Sequence, residues 1–408
     1  MVEYCGFTLI WNARVAAAVA VATAFAAALL APSALAVTAP TRADVQRAFD
    51  RVVAAGVPGA TGVIRGPHGI ERYSAGEADV RRGVAISSGD HTRAGSVTKA
   101  FTSAVILQLV ASGRFGLDAS VERLLPGVLP DGAQITVRQL LNMTSGLADY
   151  CSVPARPGGP DPCNPSPEER SRAWAPQELI DIGVSAPRTF APGRGWAYTN
   201  TGYLLLGMII ERVTGKSLAA EYRQRIFRPL GLKETRYAPD IVAMPKPFSH
   251  GYDVLAAGSW PDDVTGTSPT IAGAAGALVS TPDDMEKFIR SYLSGRLVPV
   301  RLVRQMKIAT PGSLNGAPPS TPLEGGGVAT YGLGLEHYTW SHSCGTFGHS
   351  GSIPGYHPYT FTTADGRRGA AMFLNADVLE LQGVTAANEV QRLVACRMRF
   401  GKVGARHK

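Results

Sequence analysis

The chain has 408 residues, 45% of them hydrophobic and 18% charged, which is ordinary for a globular protein and enough for a large core. It is too long for one simple domain and shows no obvious internal repeat. The formal net charge is +8, but much of the excess lies after Cys396, in Arg397, Arg399, Lys402, Arg406 and Lys408; residues 399–408 read as a solvated basic tail, and nucleic acid is not an expected partner because no basic and aromatic surface pattern accompanies it.

The N-terminus reads as an export signal. Arg14 precedes an apolar run from Val15 to Leu30, and Ala34-Leu35-Ala36 follows as a small-x-small site, so a signal peptide over residues 1–36 is expected, with cleavage after Ala36. The run is short for a bilayer span, which leaves an uncleaved anchor as the lesser reading. The expected location is secreted, with loose electrostatic association to an anionic envelope. Export permits disulfides. Of five cysteines, Cys5 leaves with the signal and Cys151, Cys163, Cys344 and Cys396 remain. Three pairings are open, and the favoured one joins Cys151 to Cys163 and Cys344 to Cys396. With no close Cys-x-x-Cys or Cys-His cluster, no metal is expected.

Arg42 to Ala55 carries Val45, Ala48, Phe49, Val52 and Val53 at helical spacing. Ala60 to Arg65 and Ile70 to Ala75 read as strands joined by Gly66-Pro67-His68-Gly69 in a hairpin, and residues 77–90 read as loop. Ser96-Val97-Thr98-Lys99 then opens an uncharged run from Ala100 to Ala111. A helix apolar on nearly every side belongs inside a protein, so its first turn opens into an interior cleft. Residues three apart on a helix are neighbours, which sets a hydroxyl beside an amine at Ser96 and Lys99. Taken alone, that pair is a capping serine and a surface lysine. A lysine at the start of a buried helix favours chemistry.

From Gly113 to about Ser280 the chain reads as mostly helical with Gly and Pro punctuation. Thr136 caps a helix through Leu141, Thr144-Ser145-Gly146-Leu147 turns out of it, and Cys151 to Pro167, rich in proline, is an extended surface loop. Helices are expected over Trp174 to Gly183, Tyr203 to Val213 and Leu218 to Phe227, with Tyr198-Thr199-Asn200 on the loop before the second. In the last third, Asp283 to Leu293 is a helix capped by Ser280 or Thr281, and Thr310 to Thr330 is loop. Strands are expected at Tyr331 to Leu335, Thr346 to His349, Tyr356 to Thr363 and Gly369 to Asn375, the last two joined across Asp365-Gly366. Val384 to Arg397 closes the chain as an amphipathic helix. The pattern predicts an α+β fold: an antiparallel sheet flanked by the terminal helices, with an all-helical lobe inserted. The α/β lobe spans about 42–95 and 281–398, and the helical lobe about 96–280.

Three elements stand in order: Ser96-Val97-Thr98-Lys99 at a buried helix, Tyr198-Thr199-Asn200 on a loop, and His349-Ser350-Gly351 on a strand. Together with Leu117-Asp118-Ala119-Ser120-Val121, Ala275-Gly276-Ala277-Leu278-Val279-Ser280 and Tyr331-Gly332-Leu333-Gly334-Leu335, they resemble the serine β-lactamase and penicillin-binding-protein superfamily in its class C-like branch, most nearly the secreted D-alanyl-D-alanine carboxypeptidases. The resemblance covers roughly residues 45 to 398. It implies Ser96 as the acylated nucleophile, Lys99 and Tyr198 as proton-transfer groups with either one the acylation base, and Asn200, His349, Ser350 and Gly351 at the substrate. It further implies an oxyanion hole from the backbone N–H groups of Ser96 and Ser352, and a Cys344 link to a cysteine near the C-terminus. It implies an acyl substrate, covalent inhibition by β-lactams, and no cofactor; a monomer is expected. Glu336 stands where such carboxypeptidases carry a carboxylate-holding arginine, which brings in three rivals: an esterase, D-amino-acid amidase or β-lactamase using the same machinery. A penicillin-binding or wall-binding protein without turnover is the rival of another class.

Overall fold

The computed structural model describes residues 39–153, 159–253, 261–313, 328–340, 344–377 and 381–399. The expected signal segment, the basic tail beyond Arg399 and residues 314–327 of the long loop lie outside the described residues.

Helix α1 (Arg42–Ala54) starts from a capping box in which Thr41 and Asp44 satisfy each other's backbone N–H groups. Its stripe of Val45, Ala48, Phe49 and Val52 is buried. Strands β1 (Gly59–Gly66) and β2 (Gly69–Asp79) form the expected hairpin, with Gly66 opposite Gly69. β2 continues through Glu77 and Asp79 to pair with β3 (Val84–Ala85), where the sequence reads as loop; charged residues are tolerated there because β3 is a sheet edge.

Short strands tie the middle of the chain together: β4 (Thr92–Arg93) and β5 (Arg236–Tyr237) flank β8 (Leu278–Ser280), while β6 (Tyr252–Asp253) lies between β7 (Asp262–Asp263) and β14 (Ala376–Asp377). The main sheet is completed by β9 (Val328–Tyr331), β10 (Glu336–Thr339), β11 (Thr346–Ser350), β12 (His357–Thr362) and β13 (Gly369–Leu374). Its order is β3-β2-β1-β13-β12-β11-β10-β9, antiparallel at every pairing, with β1 joined to β13 from Ala60↔Leu374 to Arg65↔Gly369. Alternate residues of β13 face opposite layers. Ala370, Met372 and Leu374 pack with residues of α1 and of the C-terminal helix Leu381–Arg399. Ala371 and Phe373 join the larger core, which includes α2 (Thr98–Ala111) and the helix Pro282–Leu293. Cys344 is bonded to Cys396, fastening the C-terminal helix to the sheet, and Cys151 to Cys163.

Two local departures have physical causes. The helix expected over Leu218 to Phe227 is α-helical only from Leu218 to Tyr222 and widens to a π-turn over Arg223–Phe227. Pro229 has no N–H for the Arg225 carbonyl, which accepts from Gln108 Nε2 at 3.4 Å instead. Tyr331 to Leu335, expected as a strand, is the reversal between β9 and β10, closed by Gly332 N–H to Leu335 O at 2.8 Å with Gly334 at φ +69°. Val300–Met306 is a helix that the sequence pattern does not announce, and β9 begins within the stretch read as loop.

Candidate active site

α2 is buried all round: from Thr98 to Leu107 every residue is buried, and Leu109 as well. No face is left for water, so the helix forms the centre of the helical lobe and its N-terminal turn meets the sheet. Ser96 lies in the 3-10 turn Gly95–Val97 just before it and is partly exposed. The end of β11 runs against this turn. A Cβ on Gly351 would stand 2.8 Å from both Ser96 N and Ala94 O, and one on Gly95, at φ +46°, would stand 3.0–3.1 Å from the Ser352 backbone. Glycine at both positions lets two backbones approach where any side chain would hold them apart.

Lys99 is fully buried. Its Nζ lies 2.8 Å from Ser96 Oγ, 2.7 Å from Asn200 Oδ1 and 3.1 Å from Ala275 O. The rings of Tyr198 and Tyr203 stand 4.8 and 5.6 Å from it. Burial pulls its pKa down to about 7, against the opposing pull of the Asp149 and Glu336 carboxylates. A neutral amine is therefore accessible near neutral pH. The Tyr198 hydroxyl is hydrogen-bonded to Ser96, and burial drives its pKa well up, so it is a protonated phenol. Asn200 precedes the helix Thr201–Thr214, whose residues from Thr201 to Gly207 are buried and pin it in place. Its Nδ2 donates to Asp149.

His349 is fully buried on β11. Its Nδ1 donates to the Ser350 carbonyl, leaving Nε2 to accept from Tyr331 Oη at 3.0 Å. Burial lowers its pKa, in keeping with a neutral ring. Ser350 is placed differently from the other motif residues: it gives its N–H to Glu336 Oε2 at 2.6 Å and its hydroxyl to Glu336 Oε1 at 3.2 Å. Glu336 is 4% exposed and also accepts from Tyr338 Oη. The structure thus brings Ser96, Lys99, Tyr198 and Asn200 into one hydrogen-bonded group with Gly351 and the Ser352 backbone against it, whereas the Ser350 donors serve Glu336. Cys151 Sγ lies 3.7 Å from Asn200 Nδ2, so the Cys151–Cys163 loop borders the same group. Among the described residues no cluster of three His, Cys, Asp or Glu side chains is arranged to hold a metal ion.

Sequence reasoning passes over Asp149, Tyr331 and the Ala275 carbonyl. Asp149 follows the Thr144 to Leu147 turn and carries only the ordinary signal of a capping aspartate, which it also is, for the turn Tyr150–Ser152. A carbonyl has no sequence signal at all.

The sheet-and-helix fold, with the Ser96 hydroxyl, the Lys99 amine and the Tyr198 phenol gathered at its centre, is that of the serine β-lactamase and penicillin-binding-protein superfamily. The chain belongs to the Beta-lactamase family, whose model matches residues 45–393. Among solved structures it is similar to a D-stereospecific amidohydrolase from Streptomyces sp., at 36% identity and a TM-score of 0.74 over 86% of this chain and 98% of that one. It is also similar to the D-amino acid amidase of Ochrobactrum anthropi SV3, seen with D-phenylalanine, at 28% identity and a TM-score of 0.74 over 86% and 97% of the two chains. Penicillin-binding protein 4 of Amycolatopsis lactamdurans is 29% identical over 247 residues, 60% of this chain and 61% of that protein. The match thus spans less than two thirds of that relative's own length. None of the described helices is long and apolar enough to cross a membrane.

Proposed function

We propose that this protein hydrolyses the amide bond on the carbonyl side of a D-amino-acid residue through an acyl-enzyme on Ser96. The observation that carries the chemistry is the 2.8 Å contact between Ser96 Oγ and Lys99 Nζ, with the lysine buried and its pKa near 7. Neutral Lys99 takes the Ser96 proton as Oγ attacks the carbonyl carbon. The oxyanion forms at the backbone N–H groups of Ser96 and Ser352, which the two glycines bring together. Tyr198 gives its proton to the departing nitrogen and recovers one from Lys99; in the second half it passes its proton to neutral Lys99 as it takes one from the attacking water, and Lys99 returns a proton to Ser96 Oγ as the ester breaks.

Two observations favour a D-amide over a C-terminal D-Ala-D-Ala peptide. Position 336, where a carboxylate-holding arginine is expected of a carboxypeptidase, holds a buried carboxylate engaged by Ser350 and Tyr338. The solved relatives that span nearly the whole fold act, by name, on D-configured amides. The D-alanyl-D-alanine carboxypeptidase remains the second reading, supported by the likeness to a penicillin-binding protein. Residues 1–36 we read as an export signal, and the two disulfides suit an oxidising compartment. The deciding assay offers D-phenylalanine amide, its L-enantiomer and an acylated D-Ala-D-Ala peptide side by side. Ammonia release from the D-amide with little from the L-amide is expected; faster release of D-alanine from the peptide would move the assignment to the carboxypeptidase.

A further inference from the structure

Lys99 Nζ has three hydrogen-bonding neighbours: Ser96 Oγ, Asn200 Oδ1 and Ala275 O. The Ala275 carbonyl can only accept. A side-chain amide can turn either end toward a neighbour, and Asp149 removes that freedom from Asn200. Asp149 Oδ1 accepts from Asn200 N and Asn200 Nδ2, both at 3.2 Å, and Oδ2 accepts from Asn200 Nδ2 at 3.0 Å. A carboxylate has no N–H to offer. The amide nitrogen must face Asp149, and the amide oxygen must face Lys99. Asp149 is itself held, since Cys151 N–H donates to its Oδ1 at 3.3 Å and Cys151 is bonded to Cys163.

A neutral amine carries two hydrogens and one lone pair. Two obligate acceptors take both hydrogens, so the lone pair points at the remaining neighbour, the Ser96 hydroxyl. We propose that Asp149 is a positioning residue of the acyl-transfer site, acting through Asn200 to aim the Lys99 lone pair at Ser96. This rests on the reading of Ser96 as nucleophile and assigns Lys99 as the base in acylation. Without the Asp149 acceptor, Asn200 is free to present its N–H to Lys99. The lone pair then accepts from Asn200, and Ser96 loses its base.

The titratable groups around Lys99 are the Asp149 and Glu336 carboxylates, the His349 imidazole and the Tyr198 and Tyr203 phenols. Asp149 is the one hydrogen-bonded to Asn200. Its negative charge favours the ammonium form, so its removal moves Lys99 deprotonation to lower pH.

The test is Asp149→Asn in the full chain, acylated by a chromogenic cephalosporin across about pH 5 to pH 9, with Ser96→Ala and thermal unfolding measured in parallel. Expected are a melting temperature close to that of the wild type, a plateau acylation rate lower by roughly 10²-fold, and an acidic limb displaced to lower pH. The limb reads the lost charge of Asp149, and the plateau reads its action through Asn200. On an Asn200→Ala background the Asp149 substitution is expected to cost nothing further. Asp149→Ser, too short to reach Asn200, gives the same comparison if the asparagine variant does not fold. A plateau within about threefold of wild type overturns the proposal wherever the limb falls, and so does an equal further loss on the Asn200→Ala background. Continued acylation of Ser96→Ala overturns the nucleophile itself, a distinct failure.

Discussion

Replacing Lys99 with methionine separates its contribution to catalysis from its effect on stability. The ammonium is accommodated in water with a pKa of 10.5 and in the folded protein with one of about 7, so between these values the unfolded chain binds more protons than the native one. Stability attributable to Lys99 therefore rises with pH through that window and is lowest, and flat, below pH 7. At about 1.4 kcal/mol per pKa unit, the penalty for folding around this lysine is of order 4 kcal/mol at neutral pH, falling by about 2 kcal/mol between pH 7 and pH 9. Lys99→Met has no such dependence. The assay is urea unfolding of both proteins at several pH values from about pH 5 to pH 9, taking the difference in unfolding free energy at each. That difference is expected to shift toward the wild type by about 2 kcal/mol from pH 7 to pH 9 and to stay constant below about pH 6. Methionine also strips donors from Asn200 Oδ1 and Ala275 O, an offset common to every pH that leaves the slope untouched. A difference independent of pH throughout would mean that Lys99 keeps its proton in the folded protein, and the proposed base could not act.

Other substitutions probe the site separately. Tyr198→Phe keeps the ring beside Lys99 but loses the hydroxyl; hydrolytic turnover should fall by about 10²-fold or more while a β-lactam adduct, measured by intact mass, persists longer than in the wild type. Gly351→Ala puts a methyl 2.8 Å from Ser96 N, so stopped-flow acylation should slow sharply with a smaller change in melting temperature; equal rates would deny the close approach any role. Glu336→Arg removes the acceptor for three donors and buries a cation, so calorimetry should show a large loss of stability with no gain of activity on a D-Ala-D-Ala peptide. Serine at both Cys151 and Cys163 should raise KM and loosen Asn200 with little effect on the sheet, since that loop borders the site through Asn200.

The elements most legible in the sequence are those whose local signal and tertiary role coincide. The all-round apolar run after Lys99 could only be an interior helix, and Gly66 to Gly69 could only be a tight turn between two strands. Thr136 capped its helix because the Gln139 side chain closes the box. Tyr331 to Leu335 misled because its alternating apolar residues look like a strand; the turn there depends on Gly334 lying against Ser103 of α2, where a Cβ would stand 2.5 Å from the Ser103 side chain, a contact between residues far apart in sequence. The site follows the same division. Ser96 and Lys99 are three apart on one turn and could be paired from spacing alone. Tyr198, Asn200 and His349 needed the family resemblance, because only the fold brings them together. Glu336 reads in the sequence as a replacement for a carboxylate-holding arginine, yet in the structure it is an internal acceptor for Ser350 and Tyr338. Asp149 escaped because its role acts through the amide of another residue.

Acylation of Ser96 is read out by intact-protein mass after brief incubation with a penicillin. The wild type is expected to gain the mass of one opened β-lactam, Lys99→Met to gain it far more slowly, and Ser96→Ala not to gain it at all. An adduct of the same mass on Ser96→Ala would mean that Ser96 is not the nucleophile.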